Sequence, residues 1–247
     1  MNAPQKPRQA ATVILLRALE PAGFEVFLTR RPEVMAFLGG MYCFPGGTVR
    51  KEDCSQAAMR RCHGLTPEQA RSIVGAHFAP SQALGFWVGA IRELFEEAGI
   101  LLAVNEARQR LAAECSDDKK IARWHAALIE KCSSFPALLE EKGLFCDAAS
   151  LTYFSYWQTP AQFSVRFDTR FFLAVLPADQ SPLPASSEVA HSVWLTPDRA
   201  LQLFAKNELP MIFPTFASLR TLADFETLES VFRAFPRVGY PSSPSLQ

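Results

Sequence analysis

Hydrophobic residues come in short runs along the first part of the chain. Thr12 to Leu16 and Phe24 to Leu28 are apolar stretches split by Pro21 and Gly23, and they read as two strands joined by a turn. Gly39-Gly40 leads into a third short strand, Met41 to Phe44, which stops at Pro45-Gly46-Gly47. From residue 48 to residue 80 the pattern is polar and irregular. Within it Thr66-Pro67-Glu68-Gln69 has the form of a capping box and starts a short helix through Val74. A longer helix is expected from about Gln82 to Ala98, stopped by Gly99 as a left-handed cap. Residues 105–142 are rich in Ala, Glu, Lys, Leu and Arg and read as two helices parted near Ser133-Ser134. Leu151 to Trp157, Arg170 to Leu176 and Val189 to Leu195 look like strands, and Thr196-Pro197-Asp198 opens helical segments that run to about Phe235. Such interleaving argues for an α+β or α/β sandwich around a mixed sheet. A single domain over 11–235 is expected, between a flexible start at 1–10 and a frayed, proline-rich tail at 236–247.

Composition narrows the function classes. The 247 residues are 49% hydrophobic, enough to bury a core. Lys+Arg and Asp+Glu both number 25, so net charge gives no case for gripping a nucleic-acid backbone. No apolar run approaches the ~20 residues of a membrane helix, because Arg17 and Glu20 interrupt the most apolar N-terminal stretch. The six cysteines form no C-x-x-C pair and no zinc-like spacing with the histidines. They are expected as reduced thiols, Cys43 in the core. A soluble cytoplasmic protein, with a homodimer as one option, is the expectation.

Chemistry concentrates in Arg92-Glu93-Leu94-Phe95-Glu96-Glu97-Ala98-Gly99-Ile100. On a helix Glu93, Glu96 and Glu97 stand at i, i+3 and i+4, so three carboxylates share one face. Like charges so placed repel by roughly 0.2–0.5 kcal/mol per pair on an exposed helix, a loss that hard-oxygen coordination of Mg²⁺ or Mn²⁺ recovers. An ordinary solvated acidic face has the same pattern. Phe44-Pro45-Gly46-Gly47 upstream and Gly99 directly after the acidic turn favour the metal, since glycine lets backbone approach an ion or a phosphate closely.

These residues resemble the signature of the Nudix hydrolases, G-x5-E-x7-R-E-U-x-E-E-x-G-U with U bulky and aliphatic. Arg92 through Ile100 match every specified position. The first half departs: 45 positions separate Gly47 from Arg92 where the signature has 14, so 31 are inserted, and Asp53 stands where the family has Glu. The insertion, the Asp, and the strings LTRRPEVMAFLGGMYCFPGG and RFDTRFFLAVLP are similar to the coenzyme A diphosphatases of animal peroxisomes. That resemblance implies a Nudix α/β/α sandwich around a mixed sheet, with extra helices from the box insertion (48–80) and from the segment after the box (105–142). It also implies metal-dependent hydrolysis of a diphosphate linked to another moiety. Ser245-Leu246-Gln247 is not a peroxisomal S-K-L-type tripeptide, unlike those relatives.

By the same resemblance Glu93, Glu96, Glu97 and the Gly46 carbonyl are candidate ligands of Mg²⁺ or Mn²⁺. The general base is Glu93 in the box or Glu188 in a later loop, with Glu97 the third carboxylate of the catalytic set. Asp53 is left out of the metal set, as displaced by the insertion. Arg166 and Arg170 flank Asp168 and either clamp substrate phosphates or hold a strand end. Arg30 is a further substrate-binding candidate, and Arg31 beside it must point to the opposite face. The box insertion is expected to cover part of the substrate pocket. Three functions stand at this point: hydrolysis of coenzyme A or acyl-coenzyme A to 3′,5′-ADP and (acyl-)4′-phosphopantetheine, hydrolysis of another small nucleoside diphosphate derivative such as ADP-ribose or NADH, and ligand sensing without catalysis.

Overall fold

The computed structural model describes residues 6–35, 38–110, 118–130, 132–183 and 189–235. Ten strands and eight α-helices occur among them. In chain order they are β1 (Arg8–Ala18), β2 (Phe24–Arg30), β3 (Tyr42–Cys43), β4 (Gly46–Thr48), α1 (Gln56–Arg60), β5 (Cys62–His63), α2 (Pro67–Val74), α3 (Pro80–Ala98), β6 (Ala103–Val104), α4 (Asp118–Ile129), α5 (Phe135–Glu141), β7 (Phe145–Asp147), β8 (Thr152–Gln158), β9 (Phe167–Val175), β10 (His191–Leu195), α6 (Pro197–Ala205), α7 (Phe213–Leu222) and α8 (Leu228–Ala234). A 3₁₀ turn at Glu52–Cys54 precedes α1.

The main sheet runs β10-β2-β1-β9-β8, with β1 and β9 parallel and the other neighbours antiparallel. Alternation along β1 sorts the core. Ala11, Val13 and Leu15 face α3 together with Phe27, Phe172 and Ala174. Ile14 and Leu16 face α6, α7 and α8 together with Val26, Leu28, Phe171 and Leu173. A two-residue side-chain period thus buries both faces of the sheet, giving the expected α/β/α sandwich. Expectation and structure differ at the start of the chain, where 8–10 belong to β1 rather than to a flexible segment. Arg8, Gln9 and Ala10 pair with Phe167, Asp168 and Thr169, because β9 extends far enough to take up their backbone groups.

The site is built in a gap in this sheet. One edge of β1 is taken by β9 from Arg8 to Leu16. The other is shared: β2 pairs with β1 only at Leu16–Ala18, and β4 pairs with it at Ala10–Thr12. Likewise β3 takes Thr29 and Arg30 of β2. β1 and β2 therefore splay, and Phe44-Pro45-Gly46-Gly47 fills the opening, with the Val13 N–H donating to the Pro45 carbonyl at 2.8 Å. Cys43 lies at this opening and is half-buried rather than in the core.

The box insertion is ordered rather than irregular. Besides the expected helix, capped by Thr66 and Gln69, it forms the 3₁₀ turn, α1 and β5. β5 joins β7 and β6 in a second, three-stranded sheet, with Cys62 in register with Cys146. The box insertion also meets the later helical segment, where Arg61 Nη2 lies 3.8 Å from Glu140 Oε1. Of the two helices expected in 105–142, α4 and α5 are present on either side of Ser133-Ser134, while Asn105–Gln109 closes a turn. Among the described residues the cysteines are free thiols; burial, with the Asp147 charge, pushes Cys62 up to about 12. No described helix is long and apolar enough to cross a membrane. The tail at 236–247 lies outside the described residues.

The 3₁₀ turn sits against α3 because two glycines lack side chains there. A Cβ on Gly85 would lie 2.4 Å from the Cys54 Sγ, and one on Gly89 would lie 3.1 Å from the Asp53 Oδ2. Gly85→Ala is therefore expected to lower stability by about 1–3 kcal/mol through overpacking, although Ala is preferred to Gly in a helix by about 1 kcal/mol. Chemical denaturation checks this; a more stable variant would show that the turn is not seated as described.

Candidate active site

Helix α3 begins at Pro80 and ends where Gly99 adopts φ 70°, a conformation that glycine takes without strain. Its last turn is held from outside: His125 Nε2 lies 2.8 Å from the Glu96 carbonyl and so donates to it, and the Leu183 N–H donates to the Ala98 carbonyl at 2.9 Å. These partners satisfy carbonyls that a helix end leaves open. They also fix the orientation of the turn that carries Glu96 and Glu97.

Arg92 is 1% exposed and uses all five of its N–H donors. Nε donates to Asp53 Oδ1 at 2.9 Å. Nη2 donates to Asp53 Oδ2 and to the Thr48 carbonyl, each at 2.9 Å. Nη1 donates to Glu93 Oε1 at 2.7 Å and to Glu96 Oε2 at 2.9 Å. Burial pulls this guanidinium's pKa down, but the bonds and charge of Asp53, with Glu93 and Glu96, outweigh it and hold the group above an ordinary arginine. Asp53 is fully buried and also accepts from the Arg50 N–H at 2.8 Å. It is thus at the centre of the site's support and not displaced, contrary to the sequence reading. The insertion leaves the chain after Asp53 and returns before Arg92, so its two ends are neighbours.

Glu93, Glu96 and Glu97 are 6%, 9% and 6% exposed, so the acidic face is not an ordinary solvated one. Burial raises the Glu93 carboxyl above its usual range, and Arg92 opposes this. A Cβ on Gly47 would stand 2.7 Å from the Glu93 carboxyl atoms, so only glycine lets the strand pass under that carboxylate. Gly46 precedes it in β4, paired with Thr12. Glu96 is held by a second arginine, with Arg50 Nη1 and Nη2 donating to Oε1 and Oε2 at 2.8 and 2.7 Å. Glu97 is close enough to Cys43 that its charge, after burial, contributes to pushing that thiol up to about 11.

This donor set fits a divalent cation by its chemistry: hard carboxylate oxygens, withdrawn from water, beside a backbone free of side chains. Among the described residues no three acidic, histidine or cysteine groups converge ready to hold an ion. The reason is visible in the contacts, since Glu93 and Glu96 are turned toward Arg92 and Arg50.

The expected substrate-binding arginines fare differently. Arg30 falls on the α6–α8 side of the sheet by the alternation of β2, and its guanidinium donates to Glu33 and to the Gly40 carbonyl. Arg31 falls on the carboxylate side, near the Cys43 thiol, which its charge pulls down against burial. Arg170 is on the α3 face in register with Ala11, which is in turn in register with Gly47. That places it about 10 Å, two strand spacings, from the strand beneath Glu93. It is 4% exposed, paired with Asp168, and its guanidinium lies 5.0–5.1 Å from the ring centres of Phe86, Phe78 and Tyr156. Stacked in this way it holds the strand end, and Phe78 brings the box insertion into that contact. Arg166 donates to the Thr159 carbonyl and closes the turn before β9. Glu188 lies outside the described residues. The sequence reading missed Arg50, for which only its position three residues before Asp53 was a signal.

Comparison with known proteins agrees with this geometry. The family profile described as NUDT19 Nudix domain matches residues 7–222. The chain is 28% identical to the acyl-coenzyme A diphosphatase NUDT19 of Gallus gallus, over 92% of this chain and 70% of that protein. It is 26% identical to the protein of the same name in Xenopus laevis, over 85% of this chain and 62% of that one. Among solved structures, a NUDIX hydrolase from Alicyclobacillus acidocaldarius superposes with a TM-score of 0.74 at 26% identity, covering 96% of this chain and all of that one.

Proposed function

The chain belongs to the NUDT19 Nudix domain family of Nudix hydrolases, and from that premise we propose that it hydrolyses the diphosphate of coenzyme A or acyl-coenzyme A to 3′,5′-ADP and (acyl-)4′-phosphopantetheine. The observation that carries the reaction class is the triad Glu93, Glu96 and Glu97, buried on one turn of α3 over Gly47 and braced through Arg92 by Asp53. The substrate class is supported by the names of the chicken and frog relatives.

Breaking a phosphoanhydride asks for positioning of water and neutralisation of charge on the non-bridging oxygens. We assign the cation to Mg²⁺ or Mn²⁺, held by Glu96 and Glu97 with Glu93 and the Gly46 carbonyl beside them; it would supply charge neutralisation and a more acidic bound water. The protein's own part is to hold these carboxylates aimed. Arg92 fixes Glu93 and Glu96 relative to each other, and Asp53 fixes Arg92. Glu93 is the box carboxylate placed to accept a proton, because burial keeps it more basic than its exposed counterparts.

Purified protein incubated with coenzyme A, acetyl-coenzyme A, ADP-ribose or NADH, each with Mg²⁺ or Mn²⁺, is expected to release 3′,5′-ADP fastest from the first two. Mass spectrometry of the products checks this. Preferential cleavage of ADP-ribose or NADH would leave the reaction class standing and remove the substrate assignment.

A further inference from the structure

We propose that Arg50 is a removable counter-ion: it competes with the divalent cation for Glu96 and, once released, turns its guanidinium to the substrate's diphosphate. This rests on the metal-dependent reading above and adds a residue that the box does not contain. Two guanidinium groups hold Glu96, and they are built differently. Arg92 is 1% exposed with every donor engaged inside the protein, so it cannot leave without stranding Asp53. Arg50 is 46% exposed along its side chain, which bonds twice to Glu96. Its backbone is held separately, by the N–H bond to Asp53. The side chain is therefore free to swing on a fixed stem.

The pair on Glu96 is bidentate, with one Nη on each carboxylate oxygen. A planar fork of this kind occupies the in-plane lone pairs that a cation would use, and Oε2 already accepts from Arg92. Three of the four lone-pair sites of Glu96 are thus taken, and an ion that chelates both oxygens must displace Arg50. Charge points the same way. Asp53, Glu93 and Glu96 bring three carboxylates to two guanidinium groups, Arg50 and Arg92, so this surplus favours a further cation. The released guanidinium remains next to the ion site, half in solvent and with two parallel donors. A diphosphate oxygen pair is the acceptor that such a fork fits.

Calorimetric titration with Mn²⁺ tests this on the intact wild type, Arg50→Met and Arg50→Lys. Arg50→Met is expected to bind Mn²⁺ more tightly, by roughly tenfold, and Arg50→Lys to fall between, since an ammonium cannot fork onto both oxygens. In turnover of coenzyme A the Met variant is expected to show a raised KM with kcat changed less, the mark of lost substrate binding. Unchanged or weaker Mn²⁺ affinity in Arg50→Met would overturn the competition, and tighter Mn²⁺ binding with an unchanged KM would overturn the transfer to the diphosphate. A wild type that takes up no Mn²⁺ and cuts no substrate would overturn the functional reading together with this one.

Discussion

Arg92→Met is expected to lower stability by about 3–5 kcal/mol, the range seen when one member of a buried ion pair is removed. The reason lies in what is left behind. Asp53 is fully buried and takes two of its bonds from Arg92. Without them a buried carboxylate is left with the Arg50 N–H as its donor. Glu93 and Glu96 lose the guanidinium that stands between them, so their repulsion is offset by Arg50 alone. The Thr48 carbonyl loses its partner as well. Against a total of roughly 5–15 kcal/mol for a folded domain, such a loss brings the variant close to unfolding at ambient temperature. Urea denaturation measures it directly. Asp53→Leu combined with Arg92→Met is expected to be more stable than Arg92→Met alone, because the stranded charge is then gone. A loss under about 1 kcal/mol in the single variant would mean that water reaches Asp53 and that the network is not buried as described.

The same network shows what the sequence conveys and where it stops. The end of the site's helix was legible because Gly99 marks it as a left-handed cap. The carboxylate triad was legible because i, i+3 and i+4 spacing is enough to place side chains on one face. Asp53 was not, since 39 positions separate it from Arg92 and nothing local shows that the intervening chain returns to its starting point. Loop closure grows more unfavourable only slowly with length, so an insertion whose ends meet can leave the site's geometry intact. Gly85 and Gly89 are the traces of that closure, readable only once the turn at Cys54 is seen against α3.

The arginines fail for another reason. A strand's alternation says that Arg30 and Arg31 point apart, but not which faces the carboxylates. That depends on α3 covering the face of Phe27 and Thr29, a tertiary fact. Strands of two or three residues such as β5 and β6 have no period to detect. Arg170 illustrates a third limit. Its flanking Asp168 was apparent, whereas the rings of Phe78 and Phe86, some ninety residues earlier, that pack against its guanidinium were not.

Glu93→Gln is expected to reduce kcat by roughly 10²–10⁴-fold, the range for removing a positioned acid–base group, while leaving the fold as stable as before or more so. Both halves follow from one arrangement. Glutamine keeps the shape that fits over Gly47 and an oxygen for Arg92 to meet, so packing is conserved. It removes the charge that Glu96 repels and the basic lone pair that would take the proton. Burial holds the Glu93 carboxyl above its ordinary value of 4.5, so ionising it in the folded protein is unfavourable. A carboxyl whose folded pKa is raised loses stability as pH rises from its unfolded value through its folded one. The wild type is expected to show that decline and Glu93→Gln to lack it. Thermal melts on either side of that interval, compared with kcat at neutral pH, read both effects on one pair of proteins. A kcat within tenfold of wild type would move the base out of the box, to Glu188. A loss of stability as large as that of Arg92→Met would mean that Glu93 is a member of the structural network first, because a residue kept for chemistry in a cluster of like charges is one that the fold would be more stable without.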